Sequence, residues 1–391
     1  MSSSESLARI IPFRLKPLLR ILLRYRHQLR SRRLLIRNPI KERKIRLAQQ
    51  RLLRENYSPE TEKLIVVLTP GYDIVNGGIL AISAIYEETT KLKHIHGAEV
   101  IMCTMPGHPS LLRYTKFDNQ NYIYRFSQVL SYFQSLRNLM IHIPVIYIHL
   151  FLRNITNEER LRLSKIRNVH INLMIMNITL LKALDPIEYI NELKQFGKVT
   201  CTTAHEQYTT SEIRGKLGIP LHKLSVWVSP EQYNKERYTG KENLMVVSPD
   251  RHPKKAEVLS LLARQLPQLK IQIIENLTYD EYKNVISRAK WALTFGEGLD
   301  GYFVESIFSG GVSFSVFNPN FFTTDFKSLR TVYGNYDIMC EQLFSDMKDL
   351  DNEVNYNGYQ KKQYDLCCKY YNYEQFITNL ELFYKGEYTF P

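Results

Sequence analysis

The sequence predicts an α/β protein with two doubly wound domains that face each other across a cleft. After Pro59, short apolar segments typical of buried parallel strands alternate with amphipathic segments typical of helices. A polar, turn-rich segment at 225–243 interrupts this alternation, which then resumes. A chain of 391 residues is long enough for two such domains. Ligands of such domains bind where the carboxyl ends of the strands line the cleft.

The chain divides into four predicted parts. Residues 1–57 form a basic amphipathic arm, 58–228 an N-terminal acceptor domain, 229–335 a C-terminal nucleotide domain, and 336–391 helices that pack back on the domains. Residues 106–140 are irregular and aromatic, with helical stretches. In the first domain we predict strands at 63–70, 98–105, 143–151, 169–176 and 198–204, and helices at 78–93, 157–167 and 186–196. In the second we predict strands at 243–249, 269–274, 290–295 and 312–317, and helices at 254–266, 278–289 and 301–310.

The basic charge of the chain is concentrated in the arm. The net charge is +13, yet residues 1–54 hold 16 Lys and Arg against two acidic residues, so the remaining 337 residues are nearly neutral. A nucleic-acid-binding fold usually carries its charge on the folded body, so we expect no nucleic-acid partner. No apolar run approaches the roughly 18 residues of a membrane span. Five scattered cysteines without metal-ligand spacing, and no secretory signal, indicate a reducing cytoplasm and no metal site.

Two helices are predicted in the arm. The first has Leu15, Leu18, Leu19, Leu22 and Leu23 on one face, with arginines elsewhere. The second begins at Asn38-Pro39 and places Ile45, Ala48, Leu52 and Leu53 on one face. Basic amphipathic helices bind anionic bilayers, which favours a peripheral protein at the inner membrane face. A helix packed on the body or on a partner, and a transit peptide, are the alternatives.

The segment TFGEGLDGYFVESIFSGGVSF, residues 294–314, carries the strongest functional signal. Glu297 lies just after a predicted strand, and a glycine-marked turn leads into a helix that begins near Tyr302 and contains Glu305. The free N–H groups at a helix start favour an anion such as phosphate. Carboxylates accept hydrogen bonds from sugar or ribose hydroxyls. The combination suits a nucleotide sugar, although Glu305 alone could equally be a capping carboxylate.

This segment resembles the C-terminal domain of retaining GT-B glycosyltransferases, which have a Glu-x7-Glu motif before a Gly-Gly and a strand. The resemblance is strongest over 243–318 and implies two Rossmann-like domains with a cleft between them. It also implies that Glu297 contacts the donor sugar and Glu305 the ribose of the nucleotide. The backbone from Leu299 through Gly301 to Tyr302 would then meet the diphosphate or the sugar.

A second match to this family lies in VVSPDRHPKKAEVL, residues 246–259. The family has a Gly-Arg after this strand and a lysine before the next helix, and the two cations hold the diphosphate. Here Ser248-Pro249 replaces Gly-Arg, so the resemblance assigns these roles to Arg251 and to Lys254 or Lys255. Side-chain cations suit an enzyme that uses no metal and no cofactor beyond its nucleotide-sugar substrate. A solvated charge cluster is the alternative.

The first domain offers weaker candidates. Gly77 and Gly78 lie between the first strand and its helix, where glycine lets the backbone approach a phosphate or sugar. Many relatives place a histidine near the end of the fourth strand, where this sequence has Asn177, a candidate contact to the donor sugar. His149 and His205 are candidate general bases, with His149 on a predicted strand.

The sequence therefore predicts a cytoplasmic glycosyltransferase of hexosyltransferase type. It would transfer a sugar with retention to a hydroxyl of a glycan or lipid-linked glycan, in cell-surface polysaccharide synthesis. An inverting GT-B transferase, a nucleotide-sugar epimerase and a non-catalytic assembly subunit of the same fold remain alternatives.

Overall fold

The computed structural model describes residues 39–177 and 186–391. Within them the strands form two parallel sheets, of seven and of five strands. The predicted fold class is confirmed: two α/β domains stand side by side, each built on its own parallel sheet. The first arm helix, with its leucines at 15–23, lies outside the described residues.

The first sheet has the strand order β3-β2-β1-β4-β5-β6-β7. Its apolar strands alternate between two cores, because Leu64, Val66 and Leu68 pack on one face while Ile65 and Val67 pack on the other. The strands are β1 (Lys63–Thr69), β2 (Glu99–Thr104), β3 (Ile123–Arg125), β4 (Asn138–Pro144), β5 (Asn168–Ile175), β6 (Lys198–Thr203) and β7 (Leu221–Lys223). The helices up to β7 are α1 (Pro39–Asn56), α2 (Gly77–Lys91), α3 (Lys93–His96), α4 (Phe126–Tyr132), α5 (Ile148–Asn154), α6 (Asn157–Lys165), α7 (Pro186–Lys194) and α8 (Ser211–Leu217).

The second sheet has the order β12-β11-β10-β8-β9 and is also covered on both faces. Leu244 and Val246 enter one core, and Met245 and Val247 enter the other. The strands are β8 (Glu242–Val247), β9 (Lys270–Ile273), β10 (Ala289–Leu293), β11 (Val312–Val316) and β12 (Val332–Tyr333). The helices are α9 (Lys255–Gln265), α10 (Tyr279–Arg288), α11 (Gly301–Phe308), α12 (Tyr336–Leu350), α13 (Glu353–Tyr370) and α14 (Tyr373–Lys385).

One predicted strand is wrong. Residues 143–151 were expected to form a strand, but β4 ends at Pro144 and the chain continues as a 3₁₀ turn (Val145–Tyr147) and helix α5. Strands β3 and the beginning of β4 lie instead in the segment 106–140 that was expected to be irregular. Most of this apolar run is buried or half-buried, with Ile146 exposed. Apolar character alone does not distinguish a buried strand from a buried helix.

The last helix returns to the first domain. Phe376 and Leu380 of α14 are buried in the core on one face of the first sheet. The hydroxyl of Tyr384 lies 3.0 Å from His142 Nε2 and 2.7 Å from Thr89 Oγ1. Helix α14 thus bonds to the first sheet, while α13 contributes Cys367 to a core of the second.

Helix α1 packs on the first domain. Leu53 is 1% exposed within a core of the first sheet. Gln49 Nε2 donates to the carbonyl oxygens of Leu111 and Ile123 at 3.0 and 2.8 Å. Arg125 Nη1 lies 2.8 Å from the carboxylate of Glu42. The body-packing alternative therefore holds for this second arm helix. No described helix combines the length and the apolar character that a membrane span requires.

Candidate active site

The turn after β10 requires glycine at two positions. Gly296 and Gly298 have φ angles of +85° and +87°, in the region that L side chains rarely adopt. A Cβ atom on Gly298 would lie 2.6 Å from the ring of Phe322. Thr294 Oγ1 donates to the carbonyl oxygen of Gly298 at 3.0 Å and closes the turn. Glu297 is thereby held at the carboxyl end of the strand.

Glu297 contacts the first domain. Asn177 Nδ2, just beyond β5, donates to Glu297 Oε1 at 2.5 Å. Partial desolvation between the domains, together with the negative charge of Asp250, raises the pKa of the Glu297 carboxyl, and the Asn177 hydrogen bond opposes the rise. Glu297 therefore faces the gap between the two sheets, and Asn177 reaches it from the opposite side.

Helix α11 begins next to this turn. Asp300 is its N-cap and accepts a hydrogen bond from the Phe303 N–H at 3.0 Å. The described residues provide no acceptor for the N–H groups of Gly301 and Tyr302. These two amides are the unpaired donors expected at a helix start, and they remain open to an anionic ligand.

Glu305 is buried rather than exposed, with 5% of its surface accessible. Tyr279 Oη donates to Glu305 Oε2 at 3.4 Å, and Tyr233 Oη lies 2.8 Å from Tyr279 Oη. Burial raises the pKa of Glu305 to about 8, and hydrogen bonds from tyrosine hydroxyls limit the rise. Its Oε1 lies against Gly301, where a Cβ atom would come within 2.7 Å. Glycine at 301 therefore keeps this oxygen from being covered.

The remaining predicted turn residues differ in where their side chains lie. Leu299 is 6% exposed and belongs to a core of the second sheet, so only its backbone could meet a ligand. The Tyr302 ring packs edge-on against Tyr282 at 5.7 Å. Glu297 and Glu305 are thus brought to one end of the second sheet, one at the gap and one below the surface.

The loop after β8 lies beside the turn. Ser248 Oγ accepts from the Phe295 N–H at 3.0 Å. Lys255 Nζ donates to the carbonyl oxygens of Ser248 and Asp250 at 2.6 and 3.1 Å. Lys255 thus fixes the backbone of this loop from its position at the start of α9.

The two neighbouring lysines have different surroundings. Lys254 Nζ forms 3.0 Å ion pairs with Glu257 and with Asp337 of α12. Arg251 is exposed, and its guanidinium has no ion-pair partner among the described residues. Among the predicted cations, Lys255 and Arg251 border the loop, while Lys254 is held in surface pairs.

In the first domain, Gly77 and Gly78 begin helix α2, which Asn76 caps by accepting from the Ile79 N–H at 2.9 Å. Neither glycine has a positive φ angle. A Cβ atom on Gly77 would meet nothing within 4 Å, and one on Gly78 would touch only Asn76. The packing of the protein itself therefore does not require glycine at either position.

The candidate bases are placed differently from each other. His149 lies in helix α5, not on a strand as expected, because β4 ends before it. His205 follows β6 and packs on Tyr208 at 5.0 Å, and burial lowers its pKa to about 4. Among the described residues, Glu297 accepts a hydrogen bond from Asn177 and Glu305 accepts one from Tyr279. Sequence reasoning missed Asp250, Tyr233 and Tyr279 near the site, because nothing in their local pattern sets them apart.

Three solved structures share this two-domain architecture. A glycosyltransferase from Rickettsia africae has 10% identity and a TM-score of 0.50, covering 83% of this chain and 98% of its own. HepE from Anabaena in complex with UDP and glucose has 7% identity and a TM-score of 0.54, covering 83% and 100%. A structure from E. coli described as trehalose-6-phosphate bound with UDP-2-fluoro glucose has 10% identity and a TM-score of 0.50, covering 82% and 99%. The chain therefore has a two-domain GT-B fold.

No protein-family model and no curated protein matches the sequence.

Proposed function

We propose that this protein is a glycosyltransferase that moves a sugar from a nucleotide-sugar donor to a hydroxyl of a glycan or lipid-linked glycan. The transfer proceeds with retention, in the synthesis of a cell-surface polysaccharide. The observation that carries the proposal is the placement of Glu297 and Glu305 around one glycine turn, at the edge where Asn177 of the other domain meets Glu297.

The proposed roles follow from this geometry. Glu297 accepts hydrogen bonds from the donor sugar, with Asn177 beside it. Glu305 binds the ribose through the oxygen that Gly301 leaves uncovered. The amides of Gly301 and Tyr302 meet the diphosphate, because helix N-termini favour anions.

The negative charge of the departing diphosphate needs further partners, because Asp250, Glu297 and Asp300 are all carboxylates. Arg251 supplies an exposed guanidinium from the loop surface. Lys255 holds the loop through two carbonyl oxygens, and its positive charge stabilises the diphosphate from behind the loop. Preorganised donors aimed at developing charge are worth roughly 3–4 kcal/mol each when removed. The leaving phosphate takes the proton of the acceptor hydroxyl on the same face of the sugar, so no histidine base is used and the anomeric configuration is kept.

UDP-sugars are the donors to test first. HepE was solved with UDP and glucose, and the E. coli structure holds UDP-2-fluoro glucose. Purified protein should be screened by calorimetry against UDP and a panel of nucleotide sugars, and then for donor hydrolysis and transfer. The expected result is binding of one nucleotide diphosphate and turnover of its sugar. Glu297→Ala should retain the fold by circular dichroism and lose about a hundredfold or more in turnover. Full activity in this variant would remove the assignment, and NMR of the anomeric proton in the product would test retention.

A non-catalytic assembly subunit is the second candidate, because Ser248 occupies the position where the family carries glycine before its arginine. Ser248 is 1% exposed and bound to Phe295, so it offers no charge to a diphosphate. Nucleotide binding without hydrolysis or transfer for any donor of the panel would favour this candidate.

We further propose that the protein works at the cytoplasmic face of an anionic membrane through its basic arm. Arg43, Lys44 and Arg54 project from the exposed side of α1 next to Ile40 and Leu47, which are 68% and 55% exposed. Cations beside exposed apolar side chains suit an anionic lipid surface. Phosphatidylglycerol vesicles should pellet the full chain and release a full-length variant with Ile40→Ser, Leu47→Ser, Arg43→Gln and Lys44→Gln. Substitution is used rather than truncation, because removing α1 would take Leu53 and Gln49 out of the first domain.

A further inference from the structure

His108 is a buried histidine with one ring nitrogen unpartnered. Its side chain is 8% exposed. Nδ1 accepts a hydrogen bond from the backbone N–H of Gly71 at 3.2 Å. Among residues 39–177 and 186–391, Nε2 has no hydrogen-bond partner, and it is not sealed from solvent. This nitrogen is therefore open to a ligand that approaches from the solvent side.

The tautomer of His108 follows from its partner. Since Nδ1 accepts from Gly71, the proton of the neutral ring is on Nε2. Burial lowers the pKa of His108 to about 4, so the ring is neutral at physiological pH. In this state Nε2 is a hydrogen-bond donor and cannot accept a proton. His108 Nε2 can therefore donate to an oxygen acceptor such as a sugar hydroxyl, and it does not supply a general base.

The loop that carries His108 is held rigidly. A Cβ atom on Gly71 would lie 2.1 Å from the carbonyl oxygen of Pro109, so the loops after β1 and β2 touch backbone to backbone. Gly107 has a φ angle of +82° and packs on Asn154. Tyr114 Oη donates to the Pro70 carbonyl at 2.6 Å. A donor fixed in this way is preorganised and loses little entropy when a ligand binds.

Aromatic and aliphatic groups surround the ring. Tyr72 lies at a ring distance of 5.1 Å and Tyr147 at 5.5 Å. Tyr72 is 38% exposed, and the nearby loop residues Ile74 and Ile146 are 48% and 36% exposed. Apolar walls with one well-placed polar group are typical of small-molecule sites, and the C–H face of a sugar ring packs well on such walls.

This cluster lies at the edge of the first sheet that faces the second domain. Its residues follow the carboxyl ends of β1, β2 and β4, and Asn177 follows β5 at the same edge. The loop after β2 also touches the second domain, because the Tyr279 N–H donates to the Lys116 carbonyl at 3.0 Å. The cluster thus lies across the gap from the proposed donor site.

We propose that Tyr72, His108 and Tyr147 form a subsite for the acceptor, in which a sugar ring packs on the tyrosines and one of its hydroxyls accepts from His108 Nε2. The inference rests on the proposed glycosyl transfer, and it assigns the recognition of the acceptor to these residues. His108 is a binding residue that fixes orientation.

The test separates acceptor binding from donor binding. Full-length protein and its variants are titrated with UDP, and then, saturated with UDP, with a panel of p-nitrophenyl glycosides. The variants are His108→Ala, His108→Gln, Tyr72→Ala and the exposed control His94→Ala. Glutamine carries an N–H near the position of Nε2 and preserves the donor. Melting temperatures identify any variant that is unfolded, and the half-exposed Tyr72 keeps the test valid if the His108 variants unfold.

We expect wild type to bind at least one glycoside. His108→Ala and Tyr72→Ala should weaken that affinity tenfold or more, while His108→Gln and His94→Ala stay within about threefold of wild type and UDP affinity is unchanged throughout. Unchanged glycoside affinity in both alanine variants would overturn the subsite. Loss of UDP affinity to the same extent, or UDP binding without binding of any glycoside, would do so as well. Glycoside binding that depends on His108 without any UDP binding would contradict the donor site instead.

Discussion

Asn177 Nδ2 and Glu297 Oε1 are joined by a 2.5 Å hydrogen bond between residues 120 positions apart. One follows β5 of the first sheet and the other follows β10 of the second. Because both strands end at the gap, this bond connects the two domains beside the proposed donor site. The Asn177 amide can donate to the Glu297 carboxylate. A sugar hydroxyl of the donor could either take the place of this amide or donate to the same carboxylate beside it.

Replacing Asn177 tests this contact. Asn177→Ala removes one hydrogen bond to a charged group, worth roughly 1.5–3 kcal/mol, and should lower kcat/KM about ten- to a hundredfold. Asn177→Asp should be worse than alanine, because it sets a second carboxylate against Glu297. Steady-state kinetics with the donor found in the screen measure both. An aspartate variant as active as wild type would show that the contact has no part in turnover.

Lys255 and Lys254 form a matched pair of neighbours. Lys255→Met should weaken UDP binding about tenfold or more, because it frees the loop carbonyls of Ser248 and Asp250 and removes a charge. Lys254→Met should change UDP affinity less than threefold, because the exposed amine is already paired with Glu257 and Asp337. Calorimetry at one fixed salt concentration compares them. Equal losses in the two variants would contradict the division of roles.

Replacing Gly77 tests whether this glycine is needed for the turn or for ligand binding. Gly77→Ala places a methyl group in open space at the first position of α2. Alanine is the better helix former by about 1 kcal/mol in helix interiors, so the variant should be at least as stable as wild type. Affinity for the nucleotide sugar should fall, because the added methyl group would keep the phosphate or sugar from approaching the backbone at residue 77. Thermal melting and UDP-sugar titration on the same sample provide the two readings, and unchanged affinity would make the glycine a plain turn residue.

Glu305 predicts a pH dependence of stability. Its pKa is raised from 4.5 to about 8 by burial, so between these values the folded protein holds a proton that the unfolded chain has lost. This group therefore lowers the free energy of unfolding as pH rises from about 4.5 to 8, by at most roughly 1.4 kcal/mol per pH unit. Glu305→Gln removes the effect. The melting temperature of the variant should exceed that of wild type at pH 8, and the difference should shrink toward pH 5.

A difference that stays constant from pH 5 to 8 would mean that Glu305 does not titrate in this range. Tyr279→Phe provides a control, because it removes the hydroxyl that donates to Glu305 Oε2. Without that donor the charged carboxylate is less favourable and the pKa of Glu305 rises further, so the loss of stability should continue to a higher pH than in wild type.

The sequence by itself determined the fold class and the strand-turn-helix unit that carries the proposed donor-site residues. Period and composition located most strands, since a buried parallel strand must be apolar along its length. Glu297, the glycines and Glu305 are local to one strand-turn-helix unit, so their order alone indicates which end of the sheet they occupy.

Only the tertiary structure decided which side chains meet. Asn177 reaches Glu297 across 120 positions, Lys254 and Lys255 diverge at the start of one helix, and His149 belongs to a helix although its apolar neighbours predicted a strand. His108 packs between Tyr72 and Tyr147, and each of these three residues lies in a segment that follows a different strand. Local pattern fixes which face of an element is buried, but long-range packing sets the partners of each side chain, because those partners come from chain segments that the pattern does not connect.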